Sequence, residues 1–209
     1  MKVKVLSRIE VETGDAEGAD AVISIRSPTT GREPEFTAAL AQATQGESAR
    51  LLRLAFDDCG VAGYGHYNAP TIAQIQDAID FGRAILDGRT LFGGPVADPL
   101  LVVHCEQGRS RSSAVALALL ADHHGAGHER DAVNELLRGD IENRIFPNPL
   151  VVLHADACLL RSGRLEAALA ELSPRYVMWR RYWQQVALDP VGHWQREVAA
   201  RQRRRRRTA

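Results

Sequence analysis

The sequence lacks the features that mark membrane proteins, secreted disulfide-rich proteins and zinc ribbons. No apolar run approaches the ~18 residues of a membrane span, and Met1-Lys2 leads into a strand-like pattern instead of a signal peptide. The three cysteines, Cys59, Cys105 and Cys158, are odd in number and have no CxxC spacing, which argues against a disulfide framework and a structural zinc site. We therefore expect a cytoplasmic protein that has no cofactor, no metal site and no membrane contact.

Net charge is also lacking, because 26 arginine and lysine residues balance 26 acidic residues. The balance is uneven: residues 201–209 hold six arginines and no acid, so the rest of the chain carries 20 basic and 26 acidic side chains. This mildly acidic body gives no indication of a broad nucleic-acid-binding face. We predict that residues 201–209 form a disordered, solvated tail or the frayed last turn of a helix, with contact to nucleic acid or an acidic partner as the alternative.

What the sequence does contain is an alternation of strand-like and helix-like segments. Its 209 residues are enough for one large domain. Strands are predicted at 2–12 (edge type), 20–25, 51–56 and 100–103, and helices at 36–43, 71–86, 128–138, 149–162 and 164–172, with a central helix that Gly125 ends. This order predicts an α/β fold, with a central, mostly parallel sheet flanked by helices.

A helical extension is expected to follow this domain. We predict that residues 1–172 form the α/β domain and that residues 173–200 form the extension, which packs on it. Trp179 and Trp183 are four residues apart and share a helix face, for which packing against the domain is favoured over binding of a partner. Two loops are also predicted, a glycine-rich stretch at 60–70 that suits a mobile active-site flap and a Gly/Pro loop at 89–99.

The most informative stretch is LLVVHCEQGRSRSSAVALALL, from Leu100 to Leu120. An apolar run predicts a short buried strand, and the Ala/Leu-rich segment at its end predicts a helix. The loop between them, His104 to Arg111, contains a cysteine, a central glycine, two arginines and a serine, and two more serines follow directly. That composition, just before a helix N-terminus, is typical of an oxyanion cradle with a nucleophile at its centre.

Cleavage of a phosphate ester through cysteine needs a thiolate, a cradle for a dianion and a transition-state clamp. Cys105 would lie at a helix N-terminus, which stabilises a thiolate. Arg111 offers a planar bidentate fork for phosphate oxygens. The cradle would come from the backbone amides of residues 106–111, and Gly108 permits the curl that they require. The predicted phosphate-binding residues are therefore Glu106, Gln107, Gly108, Arg109, Ser110 and Arg111.

The reaction also needs an acid for the leaving group, and the loop offers none that could act from the opposite side. Asp57 and Asp58 follow a predicted strand and precede the glycine-rich loop, so this pair is the best-placed candidate. The residues alone leave the choice between the two aspartates open.

The segment HCEQGRSRS, His104 to Ser112, resembles the HCxxGxxRS signature of the cysteine-dependent protein-tyrosine phosphatases, and its ending resembles the dual-specificity branch. The resemblance implies a phosphatase-like fold and assigns the nucleophile that forms a phosphocysteine to Cys105 and the phosphate clamp to Arg111. It also implies that Ser112 eases departure of the thiolate and that His104 orients the loop. The family's general acid corresponds best to Asp58, with Asp57 second.

Three further features bear on this resemblance. Pro147-Asn148 resembles a short element that follows the loop in related phosphatases. The gap between Asp58 and Cys105 is longer than in compact dual-specificity enzymes. Phosphoinositide-directed relatives tend to have a basic residue where this chain has Glu106, which argues against lipid substrates.

The sequence thus predicts a protein phosphatase that hydrolyses phosphotyrosine, with phosphoserine and phosphothreonine as further substrates. Its partner would be a phosphorylated protein or a small phosphomonoester. A catalytically weak phosphate-binding adaptor and a rhodanese-type sulfurtransferase are the alternatives, and the Arg111-Ser112 ending favours phosphate over sulfur. A reversible Cys59–Cys105 disulfide is a further hypothesis, since Cys59 lies beside the candidate acid.

Overall fold

The computed structural model describes residues 1–28, 34–44, 50–87, 98–140 and 142–208, with the backbone alone for 34–36, 207 and 208. Most of the loop predicted at 89–99 lies outside the described residues. None of the described helices is long and apolar enough to cross a membrane.

A four-stranded parallel sheet forms the centre of the fold, in the order β1-β4-β2-β3. The strands are β1 (Lys2–Ser7), β2 (Ala21–Arg26), β3 (Leu51–Ala55) and β4 (Leu100–Cys105). β1 lies at an edge, as predicted, whereas β4 pairs with β1 on one side and with β2 on the other. The predicted α/β fold class, with a parallel sheet flanked by helices, is confirmed.

The first predicted strand, 2–12, is too long. β1 ends at Ser7 and the chain turns into helix α1 (Arg8–Glu12). Ser7 caps this helix, since its Oγ accepts a hydrogen bond from the amide of Glu10 at 3.2 Å while its own amide donates to Glu10 Oε2 at 2.6 Å. The Ser-x-x-Glu spacing of this capping box was readable from the sequence.

The remaining helices surround the sheet or extend from it. They are α2 (Pro34–Ala43), α3 (Ile72–Leu86), α4 (Arg111–His124), α5 (Glu129–Arg138), α6 (Pro149–Cys158), α7 (Arg164–Leu172), α8 (Pro174–Leu188) and α9 (Pro190–Thr208). The predicted helix 149–162 is shorter than expected. The C-terminal extension consists of two helices that meet at Asp189-Pro190. Residues 201–208, expected as a disordered or frayed end, continue α9.

The packing of β4 and α4 fixes the position of the loop between them. Leu101, Val102 and Val103 are completely buried in the sheet, and every residue of α4 from Arg111 to Ala121 is buried. Small alanine side chains in α4 allow neighbouring elements to approach closely. The loop that joins the two elements therefore starts and ends in the buried core.

Candidate active site

The loop from His104 to Arg111 curls at Gly108, which has a φ of +67°. A Cβ at this position would lie 2.7 Å from the amide nitrogen of Ser7 and 2.8 Å from the carbonyl carbon of Leu6. Backbone cannot yield in the way that a flexible side chain can. Glycine is therefore required here both by the conformation of the loop and by its close contact with the end of β1.

The carbonyl groups of the loop bind to the surrounding protein. The Glu106 carbonyl accepts a hydrogen bond from the amide of Arg8 at 3.3 Å. The Arg109 carbonyl accepts from the amide of Phe146 at 3.0 Å, and the Ser110 carbonyl accepts from the amide of Asn148 at 3.1 Å. These bonds hold the loop from two sides, through α1 and through the segment before α6.

The amide groups of the loop, by contrast, are free to bind a ligand. Within the described chain, the amides of residues 106–110 donate no hydrogen bond. Ser110 is the N-cap of α4, but its side chain does not cap the helix and instead donates to Asp58. Free amides at an uncapped helix N-terminus form an anion-binding nest.

Cys105 lies at the base of this nest, at the end of β4. It is only 3% exposed, and its Sγ is 3.1 Å from Ser112 Oγ. The preceding residue, His104, is buried in the core. Burial lowers the pKa of His104 to about 4, so its imidazole is neutral at neutral pH. The structure thus brings together the cysteine and the hydroxyl that the resemblance pairs.

Arg111 is 5% exposed and is fixed by one end of its guanidinium. Its Nη1 donates to Ser27 Oγ and to the Phe56 carbonyl, both at 2.9 Å. Its Nε is buried and has no hydrogen-bond partner within the described chain. An arginine held in this way keeps the Nε–Nη2 edge of its guanidinium for an anion, in the geometry that suits phosphate.

The two candidate acids occupy different places. Asp57 is buried, and its Oδ2 accepts a hydrogen bond from the amide of Asn68 at 2.8 Å. Asp58 is exposed beside the loop, where its Oδ1 accepts from Ser110 Oγ at 2.7 Å and from Asn148 Nδ2 at 2.8 Å. Asp57 therefore closes its own loop, whereas Asp58 lies at the rim of the nest and faces solvent.

Several residues of the site carried no clear signal in the sequence. Ser27, which holds Arg111, follows β2 just as the nest follows β4. Because parallel strands end at the same edge of a sheet, this position could have been placed from the topology. Arg8 lies 3.4 Å from the carboxylate of Glu106, and no local pattern predicted that pair.

Cys59 is buried against aromatic side chains, among them Tyr64 and Trp183. Burial, reinforced by the charges of Asp57 and Asp58, raises the pKa of the Cys59 thiol to about 12. Cys59 is therefore protonated at neutral pH and is a poor attacking group. Cys59 and Cys105 are both free cysteines, and the disulfide between them stays a hypothesis.

No metal centre accompanies the nest in the described chain. Among the described residues, no group of three or more histidine, cysteine, aspartate or glutamate side chains could hold a metal ion. His124 and His128 instead bond singly to carboxylates, Glu135 at 2.7 Å and Asp131 at 2.9 Å.

No protein-family model matches the chain, and no curated protein matches it. Solved structures resemble its fold. PTPMT1 in complex with PI(5)P is 16% identical, with 79% of this chain and 93% of that chain covered and a TM-score of 0.47. The Yvh1 phosphatase domain from Chaetomium thermophilum is 16% identical, with 78% of this chain and 92% of that chain covered and a TM-score of 0.43. Tk-PTP in the active form is 15% identical, with 79% of this chain and 90% of that chain covered and a TM-score of 0.44.

Proposed function

We propose that the protein is a cysteine-dependent phosphatase that hydrolyses phosphotyrosine in proteins, with phosphoserine and phosphothreonine as further substrates. The observation that carries the proposal is the nest itself. The loop that follows Cys105 carries the amides of residues 106–110, which donate no hydrogen bond within the described chain, and ends at Arg111, whose buried Nε has no partner there. This arrangement provides hydrogen-bond donors for a phosphate group at the position of a nucleophile.

In the first step, the thiolate of Cys105 attacks phosphorus. The S–P bond forms as the P–O bond to the leaving group breaks, and Asp58 gives its proton to the departing oxygen. The dipole of α4 and the guanidinium of Arg111 stabilise the thiolate before attack. Asp58 fits this role because it is the aspartate that faces solvent at the rim of the nest.

In the second step, water attacks the phosphocysteine. Asp58, now a carboxylate, takes a proton from the water while the S–P bond breaks and inorganic phosphate forms. Ser112 donates a hydrogen bond to the departing sulfur, for which its Oγ is placed at 3.1 Å. Arg111 binds the equatorial phosphate oxygens in both transition states.

The charge beside the nest supports a protein substrate over a lipid. The side chain of Glu106 is 48% exposed, and Arg8 Nε lies 3.4 Å from its carboxylate. An exposed carboxylate repels a head group that carries several phosphates more than it repels a single phosphomonoester. A panel of a phosphotyrosine peptide, a phosphothreonine peptide and PI(5)P would rank these substrates directly.

The decisive experiment has two parts. Turnover of para-nitrophenyl phosphate is compared between wild type and Cys105→Ser, and turnover of a phosphotyrosine peptide is compared between wild type and Asp58→Asn. We expect Cys105→Ser to lose at least about 10⁴-fold in kcat, because the covalent route is removed. Asp58→Asn should lose about 10²-fold or more on a phosphotyrosine peptide. A wild type as inactive as Cys105→Ser, with both still binding the peptide, would indicate a phosphate-binding adaptor. Thiosulfate:cyanide activity would indicate sulfur transfer instead.

A further inference from the structure

The loop that carries Asp58 contributes little to its own shape. We define the acid loop as residues 57–68. Its base is closed by two hydrogen bonds, from the Asp57 amide to the Asn68 carbonyl at 2.7 Å and from the Asn68 amide to Asp57 Oδ2 at 2.8 Å. Inside the loop, two further backbone hydrogen bonds are made, from the Cys59 amide to the Asp57 carbonyl at 3.0 Å and from the Tyr67 amide to the Tyr64 carbonyl at 3.2 Å. A loop with so few bonds of its own needs other contacts to stay in one conformation.

Trp183 of α8 provides one of these contacts. Its ring lies so close to Gly60 that a Cβ there would be 2.3 Å from Trp183 Cγ. Gly60 follows Asp58 by two residues, so this ring restrains the backbone next to the proposed acid. Trp183 is itself buried and packs with Tyr64 at a centroid distance of 5.3 Å.

Trp194 of α9 provides the other contact. A Cβ at Gly65, which has a φ of +60°, would be 2.4 Å from Trp194 Cδ2. Tyr64 lies between the two tryptophans, 5.3 Å from Trp194, and its hydroxyl is 2.9 Å from His193 Nδ1. Both tryptophans thus pack on glycines of the acid loop, where no side chain separates the ring from the backbone.

We propose that Trp183 and Trp194 are positioning residues that hold the acid loop with Asp58 at the rim of the nest. This proposal rests on the proposed function. The C-terminal helices α8 and α9 therefore act on the reaction through the position of Asp58. Asn148 restrains the same loop from the opposite side, by donating to Asp58 Oδ1 and to the Cys59 carbonyl at 3.1 Å.

The same contacts bear on the prediction that residues 60–70 suit a mobile active-site flap, which stays a prediction. Tyr64 within this stretch is only 4% exposed. The glycines allow close approach of tryptophan rings. The packed conformation is the one in which Asp58 bonds to Ser110 of the nest.

The test compares two substrates whose leaving groups differ in their need for an acid. Para-nitrophenolate leaves readily without a proton, whereas the phenolate of tyrosine does not. We expect Trp194→Ala in the full chain to lower kcat on a phosphotyrosine peptide by about 10-fold or more, with a change of less than about 3-fold on para-nitrophenyl phosphate. Trp194→Phe should recover most of the loss, since an aromatic ring is retained.

A double mutant separates positioning of the acid from a general loss of structure. In an Asp58→Asn background, Trp194→Ala should cause no further loss on the peptide, because the group that it positions is already absent. Met178→Ala is the matched control on α8, since Met178 is 72% exposed, and it should behave as wild type. Trp183→Ala is expected to show the same pattern as Trp194→Ala.

Equal losses on both substrates, or a further loss in the Asp58→Asn background, would overturn the proposal. Trp194 is less buried than Trp183, so Trp194→Ala removes less of the core than Trp183→Ala does. The test can therefore be made with Trp194→Ala even where Trp183→Ala does not fold. Failure of the proposed function is recognised separately, since wild type and Cys105→Ser would then have the same activity.

Discussion

Arg111 divides its guanidinium between the fold and the site. Nη1 is held by Ser27 and by the Phe56 carbonyl, whereas the buried Nε has no hydrogen-bond partner within the described chain. A residue anchored in this way does not have to lose side-chain freedom when an anion binds, because folding has already fixed it. Burial also excludes the water that would otherwise weaken its interaction with phosphate.

We predict that Arg111→Lys lowers kcat on para-nitrophenyl phosphate by about 10²–10³-fold. Lysine is a point charge and cannot both hold its anchors and present a bidentate fork. Steady-state kinetics would measure the loss, and thermal unfolding would show how much stability the anchors contribute. Arg83→Lys, at an exposed pair with Asp122, is a control that should keep full activity. Full activity of Arg111→Lys would contradict the proposed role of Arg111 in binding phosphate.

His104 gives the protein a dependence of stability on pH. Its pKa falls from 6.5 to about 4 in the folded state because burial disfavours the charged imidazole. The unfolded chain therefore binds a proton at a higher pH than the native state does. Stability from this residue is complete above pH 6.5 and is lost as the pH falls from 6.5 towards 4.

We expect the free energy of unfolding to drop by about 2–3 kcal/mol through His104 alone between about pH 7.5 and about pH 4.5. Urea titrations at the two pH values would measure the drop in wild type and in His104→Asn, whose side chain does not titrate. The drop should be smaller in the variant by this amount. An identical drop in both proteins would show that His104 does not contribute.

At the scale of elements, the loop works because β1, α1 and the segment before α6 fix it from outside. Gly108 is in contact with the backbone of Leu6 and Ser7. α1 begins immediately after this contact, and the amide of Arg8 then binds the Glu106 carbonyl. The capping box that ends β1 at Ser7 thus also places the amide that orients the nest.

We predict that Gly108→Ala destabilises the protein more than Gly163→Ala does. Both positions have a positive φ, +67° at Gly108 and +80° at Gly163, so an alanine in this left-handed conformation lowers the stability of either variant by about 1–2 kcal/mol. A Cβ at Gly163 meets nothing within 4 Å, whereas one at Gly108 meets the backbone of β1, which adds about 1–3 kcal/mol.

Denaturant unfolding of the two variants would measure this difference in stability. Activity is expected to fall in Gly108→Ala alone, because displacement of the loop disturbs the nest. Equal destabilisation in the two variants would show that the contact with β1 is unimportant.

The sequence was sufficient for the fold class and for the loop between β4 and α4, although β1 and α6 are shorter than predicted. It was not sufficient to choose between the two candidate acids, and the roles of the site residues stay predictions. A strand, loop and helix with a distinctive composition predicted Cys105, Gly108 and Arg111 because all their determinants are local. Asp57 and Asp58 are adjacent and chemically identical. What distinguishes their environments is Asn148 and Ser110, which are distant in the chain and reach the loop only through the tertiary fold.

At the scale of the whole molecule, the longest-range contacts are those of the C-terminal helices. The sequence suggested that the tryptophans pack on the domain, but it could not indicate where. Gly60 and Trp183, or Gly65 and Trp194, form pairs whose partners lie far apart in the chain, and no periodicity within one segment reveals such a pair. The acid loop therefore depends on structure that a local pattern cannot specify.

The arginine-rich end of α9 is a separate feature of the same helix. Residues 201–206 are exposed, and Arg201 lies over the ring of Trp194 at 5.9 Å. We predict that deletion of residues 202–209 lowers the salt concentration at which the protein elutes from immobilised heparin, because contacts with a polyanion are lost. Phosphatase activity should be unchanged, since Arg201 is retained. Elution at the same salt concentration would show that the arginines are simply solvated.

The location of the two tryptophans also bears on when the protein becomes active during its synthesis. β4, the nest and the acid loop all precede α8 and α9 in the chain, so a ribosome completes them first. A nascent chain that has folded its sheet would carry a formed nest, but its acid loop would lack the packing of Trp183 and Trp194. Full activity on phosphotyrosine would then arise only after α8 and α9 have emerged and have docked on the acid loop.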